Sequence, residues 1–455
     1  MAEQTAGQRW AWLSVLRRPP VLAMALASLA TGFAQFAAIA ALGDVAAAFG
    51  AEDRADGTLA GAAGLSFTTL GAGLAVVRLA SLVGLPLASA ADRLGRRRTL
   101  LAFLTAGLAL TAAAATSQGF WWFVAAFALA RPGLSAVNAI AGVVAAEESS
   151  TGQRSAAMAL VTVGYGVGSG TVTLLRAGLG DLLGFRGLFV LALVPLVVLL
   201  PLLARVMREP PRFLDSLSPG TATPPPTTPP PPTTAPPATV AAASFAGRQL
   251  RAPWRAGLRR RTAVLATTTL TIALASSPAT GLLFVYGEGV LGVEPIVVAV
   301  AVAGAAPLGA IGLLLGRWAA DRFGRRIAAA TAQVLIAAAV VTTYAGTVPA
   351  LIGGYLVVLL AQSAYAPPTG ALAAELFPTR VRATAAGWLT AAGVLGAVGG
   401  LVLFGVAADA AGHAGAGALA VAVPAILAAG AFALVPETRG GELSDRDREG
   451  VADEV

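Results

Sequence analysis

Every basic residue of this chain is an arginine, and where those arginines stand constrains the fold more than any motif does. About a dozen apolar stretches follow one another, each near the ~20 residues needed to cross a hydrocarbon core. If every stretch crosses, only Arg54, Arg78, Arg131, Arg176 and Arg186 of the 31 basic residues fall outside the gaps on one side, leaving 31 − 5 = 26 within them. Cytoplasmic loops attract Lys and Arg, so this segregation predicts a polytopic membrane protein and its orientation together.

The composition agrees. Charged residues make up 12% of the chain and hydrophobic ones 56%, against roughly 25% charged in a soluble domain. A net charge of +8 suggests nucleic acid, but the arginines flank apolar spans rather than line one polar face. The expected partner is anionic lipid of the inner leaflet. The absence of Cys excludes disulfides and thiolate chemistry, and His413 is the lone histidine, so no metal site and no cofactor are expected. The first apolar stretch, about Val21 to Leu42, is long for a signal peptide and is read as a retained helix.

Helices are predicted at roughly 20–42, 58–82, 99–116, 119–146, 155–178 and 186–206, then at roughly 262–286, 296–316, 327–346, 348–374, 383–408 and 414–435. These runs lack the alternation of barrel strands, and a helix satisfies its own backbone in lipid. An even number puts both termini on one side. The opposite gaps are then acidic, with Asp44, Glu52, Asp53, Asp56, Asp181, Glu288, Glu294 and Asp409. Between the two sets, residues 218–240 are so rich in Pro and Thr that they favour an extended linker without a core. The expected organisation is an N-terminal bundle (1–206), a basic Pro-rich linker (207–261), a C-terminal bundle (262–435) and a tail (436–455).

The two sets repeat. Asp92-Arg93-Leu94-Gly95-Arg96-Arg97 recurs as Asp321-Arg322-Phe323-Gly324-Arg325-Arg326, at 321 − 92 = 229. Glu147 and Arg154 recur as Glu375 and Arg382, at 375 − 147 = 228 and 382 − 154 = 228. Glu209 recurs as Glu437, again at 437 − 209 = 228. A duplicated six-helix unit in parallel orientation explains the single offset.

These motifs resemble those of major facilitator superfamily transporters over nearly the whole chain. The family's loop signature, roughly G-x-x-x-D-R-x-G-R-R, is matched in its charged part by ASAADRLGRRR and GRWAADRFGRR, while the glycines drift to Gly84 and Gly316. AELFPTRVRATAAG (374–387), PETRGGEL (436–443) and REPPRFL (208–214) are similar to the sugar-porter and metabolite-symporter branches. The resemblance implies an all-α membrane protein of twelve transmembrane helices in two parallel-related bundles. It also implies a central cavity lined by helices 1, 4, 7 and 10, and a loop network that steadies the state closed to the cytoplasm. Asp92, Arg93, Arg96, Glu147, Arg154, Asp321, Arg322, Arg325, Glu375 and Arg382 are the expected latch residues.

Residues buried in the spans carry the sharper chemical information. No Asp or Glu lies near a helix centre, whereas Arg78 and Arg131 do. A central arginine costs about 2.5–3.5 kcal/mol to insert, so it normally faces a cavity or a partner. Arg131, Ser135 and Asn138 form one polar stripe at i, i+4, i+7; Tyr355, Gln362 and Tyr365 form a comparable one, with Gln35 and Tyr286 on the other lining helices. Arg176, near a helix end, reads as snorkelling towards Asp181, and Asp44 is the nearest candidate for proton coupling. Gly164, Gly166, Gly168 and Gly170 suit close helix packing, and the chain lacks the proline of the family's drug-antiporter motif here.

The expected function is secondary transport of a small polar solute by a monomer, in the plasma membrane, with an organic anion favoured because buried positive charge attracts anions. Proton coupling is expected, with facilitated diffusion or exchange open because no carboxylate lies at mid-span. A sugar porter, an efflux antiporter and a non-transporting receptor on the same fold are the alternatives. No nucleophile motif, His/Cys cluster or P-loop is present, which argues against an enzyme or an ATP-driven pump.

Overall fold

The apolar stretches do become helices: among the described residues, twelve are long and apolar enough to cross a membrane. The computed structural model describes residues 18–50, 58–150, 153–207 and 250–439. The spans are α1 (Pro19–Ala40), α2 (Phe67–Ala91), α3 (Arg96–Thr116), α4 (Phe120–Glu147), α5 (Ala156–Gly180) and α6 (Leu182–Val206). The second set is α7 (Arg259–Gly281), α8 (Pro295–Phe323), α9 (Arg325–Thr343), α10 (Val348–Glu375), α11 (Thr379–Ala411) and α12 (Ala414–Leu434). No strand occurs among the described residues. The Pro/Thr linker, the 208–214 motif and the tail from residue 440 lie outside them.

The spans stack between two tryptophan levels. Trp121 and Trp122 stand exposed at one end of the bundle, and Trp254, Trp318 and Trp388 stand exposed towards the arginine-rich end. Amphipathic indoles at two levels, with exposed Leu and Val between them, fit a lipid-facing belt.

The largest departure from expectation is at α2. The predicted helix 58–82 is two helices, because two hydroxyls each start one. Thr58 caps Leu59–Ala63, and Ser66 caps α2 by accepting from the Thr69 N–H at 3.1 Å. Gly64, at φ 86°, turns the chain between them. Helix then continues past the apolar region to Leu94, carrying Arg93 out with it. Likewise α7 stops at Gly281, soon after Pro278, and the chain resumes as a short wide turn, Val285–Val290, that holds Glu288. His413, expected in a solvated loop, accepts the Ala416 N–H at 3.2 Å and caps α12.

The duplication is visible as geometry. Gly95 (φ 94°) and Gly324 (φ 98°) make the same left-handed turn into α3 and α9, a conformation that only glycine adopts without strain. Arg97 donates to the Ala204 carbonyl at 2.6 Å, and Arg326 donates to those of Phe432 and Ala433 at 2.8 and 3.0 Å. Each arginine therefore closes the final carbonyls of the last helix in its set. Arg18 on the Glu148 carbonyl is matched by Arg261 on that of Leu376.

Within each set the helices meet at glycines. A Cβ on Gly164 would lie 2.3 Å from the Ala25 carbonyl oxygen, and one on Gly168 would lie 2.0 Å from that of Leu29. Here α5 packs on α1 with backbone against backbone. Replacing Gly168 with Val is expected to force α1 and α5 apart and cost about 1–3 kcal/mol. A lowered melting temperature of the detergent-solubilised protein checks it, and an unchanged one rejects the tight contact.

Candidate functional site

Two arginines face one another in the middle of the first six spans. Arg131 lies 147 − 131 = 16 residues from the end of α4, about 24 Å at ~1.5 Å per residue. Arg78 of α2 lies close enough for the two charges to act on each other, and Tyr165 of α5 joins the same cluster. Both arginines are half-buried. The Tyr165 hydroxyl donates to Gln35 Oε1 at 3.2 Å, bringing α1 into the group. Gln35 Nε2 and Arg131 Nε are buried without a hydrogen-bond partner. Donors left open beside two like charges are suited to an anionic oxygen cluster.

Other expected contacts are otherwise engaged. The Asn138 amide oxygen accepts from Ser28 at 2.9 Å and Thr31 at 2.8 Å, locking α4 to α1. Ser135 packs against Gly84 of α2. In the second set, Gln362 of α10 donates to the Ser276 hydroxyl of α7 at 3.2 Å. Tyr355 is buried, and Tyr365 is buried with its ring against Phe432 of α12. Tyr286 departs from expectation. It donates to the Tyr344 carbonyl at 3.4 Å and its ring lies tilted against that of Tyr344, centroids 4.8 Å apart, so it joins the end of α9 rather than the polar group on α10. Polar groups removed from water turn to the nearest backbone acceptor, which sequence spacing does not disclose.

At the arginine-rich end, the duplicated charges pair in parallel. Arg96 and Glu147 form an ion pair, and Arg325 meets Glu375 at 3.5 Å. Arg154 and Arg382 are nearer to these carboxylates in sequence, yet Arg96 and Arg325 meet them. Each Glu ends a helix that runs antiparallel to the one its arginine starts, so the partners sit side by side. Arg154 is exposed instead, and Arg382 reaches its own loop at the Phe377 carbonyl. Arg93 and Arg322 are exposed, and Asp321, 63% exposed, touches Arg317 and Arg325 only at 4.0 and 3.9 Å. The Asp92 side chain lies outside the described ones. Each of these contacts stays within its own set of six spans.

Glu437, from the tail motif, caps α9 by accepting the N–H groups of Arg325 and Arg326 at 2.9 and 3.2 Å. Partial burial pushes its carboxyl up, but bonds from the N–H groups of Arg325, Arg326, Thr438 and Arg439 outweigh this and leave it below the usual carboxylate range. A lowered value means that the cap stabilises fully above the ordinary carboxylate range, near 4.3, and is lost as pH falls through the lowered value. The melting-temperature gap between wild type and Glu437→Gln is therefore expected to close in acid; a gap independent of pH argues against the cap.

The sets are joined at the opposite, acidic end. Arg176 of α5 holds Asp44 through Nε and Nη2, both at 2.7 Å, and holds Glu288 through Nη1 and Nη2, both at 2.6 Å. Asp44 belongs to the first set and Glu288 to the second, so one guanidinium clasps the two. Arg176 is thus buried in a triad, not snorkelling; Phe284 covers it at 5.6 Å, and the Asp181 side chain lies outside the described ones. A second tie is Asp409 of α11, whose carboxylate accepts the Phe67 and Thr68 N–H groups at 2.9 and 2.7 Å at the start of α2. Beside it, a Cβ on Gly71 would meet the Leu401 carbonyl oxygen at 2.2 Å. Neither Arg176 as a clasp nor Asp409 as a cap was foreseen; their one signal was charge at helix ends facing the arginine-poor side.

Twelve spans, a polar centre, and one end tied while the other carries duplicated charge clusters define a multi-pass membrane transporter. The sequence matches the family model described as Major Facilitator Superfamily over residues 24–320 and 291–453, and the chain belongs to that family. Among solved structures it is similar to a bacterial homolog of the human lysosomal transporter Spinster, inward-facing and unoccupied, at 16% identity and TM-score 0.68, covering 91% of this chain and 96% of that one. It is similar to the xylose transporter XylE from E. coli, inward open, at 17% identity and TM-score 0.66, covering 93% and 97%. A D-xylose-proton symporter matches at 18% identity and TM-score 0.67, covering 93% and 99%. At such identities the likeness is one of fold. No curated protein matches the sequence.

Proposed function

We propose that this transporter moves a small organic anion together with a proton by alternating access, as a monomer in the plasma membrane with both termini cytoplasmic. The observation that carries the anion reading is the Arg78/Arg131 pair, two like charges at mid-span beside open donors on Arg131 and Gln35. Positive charge in a low-dielectric cavity attracts anions and opposes cations. The arginine segregation supports the orientation, which makes the clasped end the outer one and this conformation closed to the outside. In the cycle, bundles 1–206 and 262–435 rock about the shared cavity. The clasp and Asp409 hold one state, and the loop charges around Asp92 and Asp321, with Arg96, Glu147, Arg325 and Glu375, hold the other. A cationic inner surface suits anionic lipid.

The test is uptake into liposomes of labelled mono- and dicarboxylates, hexoses, pentoses and quaternary amines, alongside thermal shift with the same compounds. Saturable, counterflow-stimulated carboxylate uptake is expected. Uptake of sugars alone would favour the sugar-porter reading, which the neutral Gln35, Ser276 and Gln362 side chains also suit.

A further inference from the structure

The clasp holds a charge imbalance that the anion cavity does not use. Two carboxylates share one guanidinium, so the triad as assembled carries a net charge of −1. Arg176 spends four of its five N–H groups on it. The Arg176 and Glu288 side chains are 5% and 12% exposed, whereas Asp44 is 37% exposed. Uncompensated charge in such a place is costly, and a proton is the smallest counter-charge available.

We propose that Asp44 and Glu288 form a one-proton site assembled around Arg176 when the outer end shuts, with the proton carried on Glu288. This rests on the alternating-access reading and deepens it by making the shutting of the outer end depend on a proton. With the halves apart, Arg176 and Asp44, both of the first bundle, balance one another, and Glu288 stands alone on the second. Closure brings the third charge in. A proton from the outer solution adds to one Glu288 oxygen; that oxygen stops accepting from Arg176, one N–H···O bond is lost, and the net charge goes to zero.

The surroundings fit. Among the described residues, Arg176 from α5 and Asp44 from the helix Leu42–Phe49 are the charges acting on Glu288. The helix Leu59–Ala63, packed on the Glu288 turn through Ala62 and Gly289, brings no ionisable group. Burial pushes the Glu288 carboxyl above the usual carboxylate range in spite of Arg176, and Asp44 adds to the push. A group whose value is raised in the shut state favours that state below the raised value. The preference is lost as pH rises through it. Shutting the outer end therefore takes up a proton from outside, and reopening it releases that proton again.

The experiment measures the distance between spin labels at Leu182→Cys and Ile296→Cys, exposed positions at the outer end of each bundle. The full chain, which has no native cysteine, is used in lipid nanodiscs without cargo. The wild-type shut fraction is expected to rise as pH falls from about 8 to about 5, with the shut-to-open ratio changing by up to about tenfold per pH unit. Glu288→Gln and Asp44→Asn each leave a triad that is neutral without a proton, so each is expected to stay shut across the range. A wild-type distance that ignores pH, or two variants that keep the wild-type response, overturns the proposal. Because no cargo is present, this failure is separate from failure of the anion reading, which the uptake assay decides.

Discussion

Replacing Arg131 with Ala is expected to cut organic-anion uptake by roughly ten- to hundredfold at subsaturating cargo. A hydrogen bond to a charged group contributes about 1.5–3 kcal/mol, and each 1.4 kcal/mol is about tenfold. The stability effect should have the opposite sign. Arg131 and Arg78 repel one another, so removing one relieves the empty protein, and its melting temperature should hold or rise. Arg131→Lys keeps the charge but loses the planar fork, and should fall between. Initial uptake rates in liposomes, with melting curves of the same samples, read both effects. Normal uptake in Arg131→Ala would remove Arg131 from the pathway. A collapse of melting temperature together with uptake would make it a structural residue.

The second large effect is expected at Asp409. Its carboxylate takes two N–H groups at the start of a helix in the other set, where the helix dipole favours negative charge. Asp409→Ala deletes both bonds, each about 1.5–3 kcal/mol. The shut-to-open ratio of the outer end should fall by at least about tenfold. Faster labelling by a membrane-impermeant thiol reagent of a cysteine placed at Leu74, which packs against Gly281 beneath this tie, is the readout. Asp409→Asn keeps one acceptor and should fall less. Equal labelling in all three proteins would mean that Asp409 only caps a helix.

The architecture was legible because the bilayer imposes it. Apolar run length gave the spans, and arginine placement gave the sidedness that the reading adopts. The repeat was legible because Gly95 and Gly324 are held to one left-handed turn and Arg97 and Arg326 to one set of carbonyls. Partner choice was not. Glu147 meets Arg96 across antiparallel helices, 147 − 96 = 51 residues away, rather than Arg154, which is nearer in sequence. Arg176 was read with adjacent Asp181, yet the carboxylates it holds lie 176 − 44 = 132 and 288 − 176 = 112 residues away. Helix starts failed where hydroxyls intervened, since Thr58 and Ser66 each begin a helix that apolar content alone had merged.

Positive charge at the centre is one-handed: Arg78 and Arg131 both belong to the first six spans, whereas the described spans of the second set carry Arg, Asp and Glu only near their ends. On the anion reading, a solute gripped this way would ride on one wall while the other sweeps past as a shutter. Choice of cargo and timing of passage would then be written on different stretches of the gene, free to drift apart after the doubling that made them.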